Sequence, residues 1–238
     1  MKFQITGDNM QALLMNLMQN EEVYAEAGSM LYYRGDITMD AKAQGGLLKS
    51  IGRALFTGES ILMTTFRCNS NGEVAFAAPT PGKIVNIEMT GNEIICNKDA
   101  YLCSAGAIDV SIAFTKSLGA GLFGGQGFIL EKISGNGDVF LHSGGNFVEM
   151  TLQEGEVVMV DTGCIVMMDS EVDYSIEFVG GIKKMLFGGE GLFLAKLTGP
   201  GKVILQTLPF SRLAQELGNM YMRNNTSGSS TLGNILGS

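Results

Sequence analysis

Few residues of this chain combine the type and the spacing that chemistry needs. His142 is the single histidine, and Cys164 is the thiol a histidine could activate, so the two together would make a thiolate–imidazole nucleophile. Glu59 and Glu190 stand beside matching glycine turns and would form an acid/base pair if their surroundings pushed their pKa values apart. Gly119-Ala120-Gly121-Leu122-Phe123-Gly124 spells a dinucleotide fingerprint, but that motif must open a helix whose N-terminus meets the phosphate. Here an apolar strand follows, and neither sister stretch keeps the pattern. Cys68, Cys96, Cys103 and Cys164 lack metal-ligand spacing and sit in strand-like surroundings, which reads as small buried hydrophobes in a reducing cytoplasm. A lone histidine without a neighbouring acid or thiol reads as a surface or pore residue. A carboxylate beside a glycine turn reads as an acceptor for backbone N–H groups. The expectation is therefore no catalytic, cofactor or metal site, and no enzyme.

The elements that would position these groups are written three times. Residues 55–63, 122–130 and 186–194 each carry a Leu-Phe and a glycine turn that opens into an apolar strand. Further along each copy, Gly72, Gly137 and Gly201 precede Val74, Val139 and Val203 at a second turn. Repetition at this period means copies of one structural unit, here several short strands the size of a small β-sandwich or barrel. Thr65, Lys132 and Lys196 make one face of the opener strand polar farther on. Met1 to Thr6 reads as a strand. Gln11 to Leu17 has helical propensity but lies over the strand-turn-strand around Gly155, with Asn20 in the glycine's slot, so it too is predicted as strand. Each copy then carries an acid after its bend, Glu21, Asp99 and Glu156, and a glycine at the end of its second strand, Gly28, Gly106 and Gly163. Residues 208–217 form one short helix with Phe210, Leu213, Ala214 and Leu217 in a stripe, ended by Gly218. The whole reads as all-β: one domain over residues 1–217, three intertwined β repeats, and a flexible tail over 218–238.

Composition narrows the function classes. The chain is 45% hydrophobic and only 17% charged, against about a quarter in an ordinary soluble domain. So few charges imply that apolar surface is hidden between subunits. A net charge of -8 argues against a broad nucleic-acid footprint. No apolar run is long enough to span a bilayer, and the start has no apolar export signal.

The chain also resembles a known family. Ala25-Glu26-Ala27-Gly28-Ser29-Met30, Thr57-Gly58-Glu59, Ala78-Pro79-Thr80-Pro81-Gly82-Lys83-Ile84, Val160-Asp161-Thr162-Gly163, Gly189-Glu190-Gly191 and residues 198–207 are similar to the altered-inheritance-of-mitochondria type. The likeness covers about residues 1 to 217. It implies three tandem units folded like the subunit of the tryptophan RNA-binding attenuation protein, assembly into homotrimers, and, for mitochondrial relatives, a link to inner-membrane organisation. The family supplies no catalytic residues. Gln126 departs from the glutamates at Glu59 and Glu190, which breaks any threefold set of carboxylates.

The loops before the openers are the candidate contact surface. Leu48, Lys49, Arg53 and Phe56 in one, and Lys183, Lys184 and Phe187 in another, mix bulky apolar residues with cations, as segments that meet an anionic membrane surface or a protein partner do. The reading is a non-enzymatic, self-associating scaffold in the cytoplasm or peripheral at its membrane. A ring that binds RNA or a small ligand is the alternative, resting on Lys132 and Lys196 as a repeated cation pair that Thr65 interrupts in the first copy.

Overall fold

The structure, a computed structural model, describes residues 1–43, 62–116, 128–179, 192–218 and 220–221. Within them nearly everything is strand. β1 is Lys2–Thr6, β2 Ala12–Met18, β3 Glu22–Glu26, β4 Met30–Ala43, β5 Leu62–Ala77, β6 Gly82–Asn97, β7 Tyr101–Lys116 and β8 Phe128–Gly144. β9 is Phe147–Leu152, β10 Val157–Asp161, β11 Ile165–Asp169, β12 Asp173–Val179, β13 Leu192–Thr198 and β14 Gly201–Gln206. Short 3-10 turns occupy Lys98–Ala100 and Thr162–Cys164. An 11-stranded sheet runs β1-β2-β5-β3-β7-β8-β6-β11-β14-β9, with β4 on β5, and a 3-stranded sheet runs β10-β13-β12. Every named pair of strands is antiparallel.

The all-β expectation holds, with strand at Ala12–Met18 where propensity pointed to helix. Alternating burial decides it: Leu13, Met15 and Leu17 are buried on one face. Asn20 takes a φ of 66° and Gly155 a φ of 73°, so the two bends share the left-handed backbone that Asn and Gly tolerate best. Glu21 and Glu156 each accept a backbone N–H three residues earlier, from Met18 at 2.8 Å and Gln153 at 2.9 Å. Asp99 does not share that role. It lies within the 3-10 turn, and the bend between Thr90 and Glu93 is closed instead by the Asn92 side chain accepting from the Thr90 N–H at 2.9 Å.

The short strands expected within each repeat are replaced by long, bent ones of 14, 16, 16, 16 and 17 residues for β4 to β8. Gly72 and Gly137 are therefore corners inside β5 and β8, not turns between strands. Gly72 lies opposite Gly35, and Gly137 opposite Gly106. A Cβ at Gly137 would lie 2.1 Å from the Ala105 carbonyl oxygen, so only glycine lets the two backbones meet there. At the third glycine, Gly201, the strand is instead divided, with Gly199 and Pro200 between β13 and β14.

Pairing follows one order. β8 carries β6 along one edge and β7 along the other. β5 carries β2 and β3 on one edge and β4 on the other. β14 carries β9 and β11, and β13 carries β10 and β12. β4, β7 and β11 share one irregularity, a residue skipped at Met30/Tyr32, Tyr101/Cys103 and Ile165/Met167. β3 joins β7 through Val23↔Ala105 and Ala25↔Cys103, and β6 joins β11 through Ile94↔Asp169 and Cys96↔Met167. Three apolar cores result. The first takes Leu102, Cys103 and Phe140 from β7 and β8, and the second takes Val166, Met167 and Ile204 from β11 and β14.

Residues 210–218 are helical, with Gly218 itself in the helix, and so are 220 and 221; the rest of the predicted 218–238 tail lies outside the described residues. Arg212 pins the helix by pairing with Asp161 at 2.6 Å. Of its predicted stripe, Leu213 is half-buried, whereas Phe210 and Leu217 are exposed. No helix among the described residues is long and apolar enough to cross a membrane.

Candidate functional site

The two groups that could have formed a nucleophile are held by different turns. His142 is buried at 6% exposure, not the surface or pore residue expected, and one ring nitrogen donates to the Asp99 backbone carbonyl while Nδ1 has no partner. Burial pushes its pKa down to about 4, so at neutral pH it is an uncharged strut under the Lys98–Ala100 turn. Cys164 belongs to the other 3-10 turn. There Gln206 takes the strut's place, donating to the Gly163 carbonyl at 2.8 Å. Side chains cap both turns in the same way: Asn97 accepts from the Asp99 N–H at 3.1 Å, and Asp161 from the Gly163 N–H at 3.0 Å. Burial raises the Cys164 thiol, which keeps it protonated.

Sequence reasoning missed a cluster of carboxylates around the first turn. Glu131 of β8 is 2% exposed and stands between Cys96 of β6 and Ile112 of β7. Burial raises its pKa to about 8, Glu26 and Asp99 push the same way, and Lys98 opposes them. Glu26, at the end of β3, is raised to about 7 by burial and by Asp99, again against Lys98. Asp99 is itself exposed at the rim, yet desolvation still raises it. The neighbouring Cys96 thiol and Tyr101 phenol are pushed well above their usual values by burial. The cluster can hold protons near neutrality and offers no thiolate. Among the described residues no group of His, Cys, Asp and Glu has metal-binding geometry.

A second feature is an apolar run on an open edge. Met30, Leu31, Tyr32 and Tyr33 of β4 are 38%, 55%, 41% and 42% exposed. At the same places past the skipped residue, Tyr101, Leu102, Cys103 and Ser104 of β7 and Ile165, Val166, Met167 and Met168 of β11 are all buried. The difference has a cause. β3 covers β7 and β6 covers β11, whereas among the described strands β4 pairs with β5 alone. Tyr32 donates to Glu73 at 2.8 Å, and Arg34 pairs with Glu73 at 3.1 Å, so polar groups rim the run. An open cleft of about 470 Å³ adjoins it, lined in part by Lys2, Asn16, Arg34 and Glu73. β10, like β1, β9 and β12, is also an open edge. It pairs only with β13 among the described strands, and its Val157 and Met159 are exposed. The clue in the sequence was four large apolar residues directly after Ala25–Ser29, where alternation would place polar ones.

The predicted contact residues Leu48, Lys49, Arg53, Phe56, Lys183, Lys184 and Phe187 lie outside the described residues, as do Glu59, Glu190 and the Gly119–Gly124 motif. The strands after the openers begin at Leu62, Phe128 and Leu192. Lys132 pairs with Glu93 at 3.1 Å. Thr65 is buried, so the polar face expected from Thr65, Lys132 and Lys196 is not solvated in the first copy.

Comparison with known proteins points one way. The family model described as mitochondrial biogenesis AIM24 matches residues 3–208. The uncharacterized protein M6_Spy0233 of Streptococcus pyogenes serotype M6 is 29% identical over 210 residues, 85% of this chain and 84% of that protein. The crystal structure of protein SPYM3_0169 from Streptococcus pyogenes superposes with a TM-score of 0.76 at 26% identity, over 92% of this chain and 99% of the other.

Proposed function

The chain belongs to the mitochondrial biogenesis AIM24 family, and we propose from that premise that it is a non-enzymatic scaffold that assembles with copies of itself as a homotrimer. Its architecture in this reading is three units of one design, like subunits of the tryptophan RNA-binding attenuation protein. Support comes from one pairing order, an earlier strand and the strand just before the last one flanking the last one, found around β5, around β8 and around β13 with β14. The shared skipped residue in β4, β7 and β11 supports it too. The neutral His142 and protonated Cys164, tied to separate turns, favour a structural over a catalytic role.

The single observation that carries the reading is the exposed apolar run Met30–Tyr33 on an edge that no described strand pairs. Monomeric proteins cover or charge such edges, because an open edge is a template for pairing. Light scattering behind size exclusion tests it. A mass of three times 25.4 kDa is expected. A mass of 25.4 kDa at micromolar concentration would remove the scaffold reading. The free thiols Cys68, Cys96, Cys103 and Cys164 suit a reducing cytoplasm. Contact with an anionic membrane surface through Lys49, Arg53, Lys183 and Lys184 belongs to the same proposal. It predicts flotation with phosphatidylserine vesicles at low salt, and protein left wholly in the lipid-free fraction would discard it.

A further inference from the structure

The open edge of β4 and the open edge of β10 correspond to each other. Inside the chain, the second arm of one unit is twice covered by the first arm of the unit before it. Ala25 lies opposite Cys103 and Tyr24 opposite Ser104; Cys96 lies opposite Met167 and Ile95 opposite Met168. The skipped residue aligns Cys103 and Met167 with Tyr32, and Ser104 and Met168 with Tyr33. The 3-10 turns and the pairing to the last strand align Ala25 and Cys96 with Val160, and Tyr24 and Ile95 with Met159. Among the described strands one arm of each kind is left over: β4, whose apolar run is exposed, and β10, whose Met159 is exposed. The third core shows the same deficit. The first and second cores each borrow the residue after the skip's start, Leu102 and Val166, from the next unit, and the corresponding Leu31 lies in none of the three.

We infer that β10 of one copy pairs antiparallel with β4 of a second copy, Val160 opposite Tyr32 and Met159 opposite Tyr33, so that Leu31 completes the neighbour's third core. The contact is head-to-tail, since it joins two different edges, and such a contact closes into a ring only if the rotation per copy allows it. It extends the reading of a self-associating scaffold and rests on it. What it adds is which edges meet and in which register. Both edges are apolar and neither carries a like-charge pair in the aligned positions, so the pairing meets no charge repulsion.

Disulfide trapping in a Cys164→Ser background tests the register, because residues directly opposite in an antiparallel pair lie within bonding distance. A Tyr33→Cys copy is mixed with a Met159→Cys copy and oxidised with diamide. A covalent dimer is expected in the mixture and absent from either copy alone. A Tyr33→Cys copy with a Val157→Cys copy, two residues out of register, should link at least fivefold less. Leu31→Lys, a change at an exposed position of the single chain, should lower the measured mass to 25.4 kDa with an unchanged circular dichroism spectrum. An assembled protein that links no better in register than out of it would overturn this inference and leave the scaffold reading standing. A monomeric parent would end both. A Tyr33→Cys/Met159→Cys double variant that links only within its own chain would overturn the claim that a second copy supplies the strand.

Discussion

His142 has the chemistry of a catalytic residue and the surroundings of a beam. Its corresponding residue on β14, Gln206, holds the carbonyl of the other 3-10 turn, so an amide can serve where the imidazole does. His142→Gln should therefore keep stability within about 1 kcal/mol at pH 7, whereas His142→Ala, which also leaves a cavity, should lose about 2 kcal/mol or more in denaturant titration. The pH dependence separates them from the parent. The folded pKa is depressed to about 4, so the parent's stability is intact above the unfolded value near 6.5 and falls as pH drops toward 4. In His142→Gln that part of the fall should vanish. Glu131 acts in the opposite direction. Its folded pKa is raised to about 8 against an unfolded value of 4.5, so its share of stability is complete below pH 4.5 and is lost as pH rises through 8. Glu131→Gln should raise the thermal midpoint at pH 8.5 and leave it nearly unchanged at pH 5. An equal shift at both values would refute the assignment. Neither environment was legible from residue order: His142 and Glu131 sit beside a turn that only the crossing of β6, β7 and β8 brings to them.

At the scale of elements, the sequence carried the glycines but not their use. Gly72, Gly137 and Gly201 recur before a valine, and that spacing located all three sites where the last strand changes direction. Whether a glycine ends a strand or bends it depends on what crosses it. Gly35 and Gly106 on the facing strands make the first two corners, while at the third Gly199 and Pro200 separate β13 from β14. Gly137→Ala is the sharpest test of a corner. A Cβ there meets the Ala105 carbonyl and requires a φ of +146°, so a loss of about 3 kcal/mol or more is expected. Gly155→Asn is the contrast. Its φ of +73° matches the bend that Asn20 already occupies, and nothing lies within 4 Å of the added Cβ. That change should fall within about 1 kcal/mol. If both substitutions weighed alike in thermal unfolding, backbone crowding would not be what the corner glycine relieves.

For the whole molecule the decisive quantity is apolar surface that the described residues leave uncovered. A charged fraction of 17% implies hidden apolar surface, and exposed apolar residues stand on the edges of β4 and β10, among other places. Burying a Leu- or Met-sized side chain is worth about 1.5–3 kcal/mol, so partial burial of Met30, Leu31, Tyr32 and Tyr33 in the proposed contact would supply several kcal/mol before ordering costs. Assembly by such surface couples to folding through mass action. The thermal midpoint should then rise by roughly 2–4 °C for each tenfold increase in protein concentration. Because the run is apolar, salt from 0.05 to about 0.5 M should change that rise little. Leu31→Lys should abolish the concentration dependence while leaving the dilute midpoint where the parent's is, since the residue it alters already faces solvent in the separate chain. A parent midpoint that ignores concentration, or a Leu31→Lys chain that melts earlier even when dilute, would mean that the β4 edge is finished within one copy and that nothing about it calls for another.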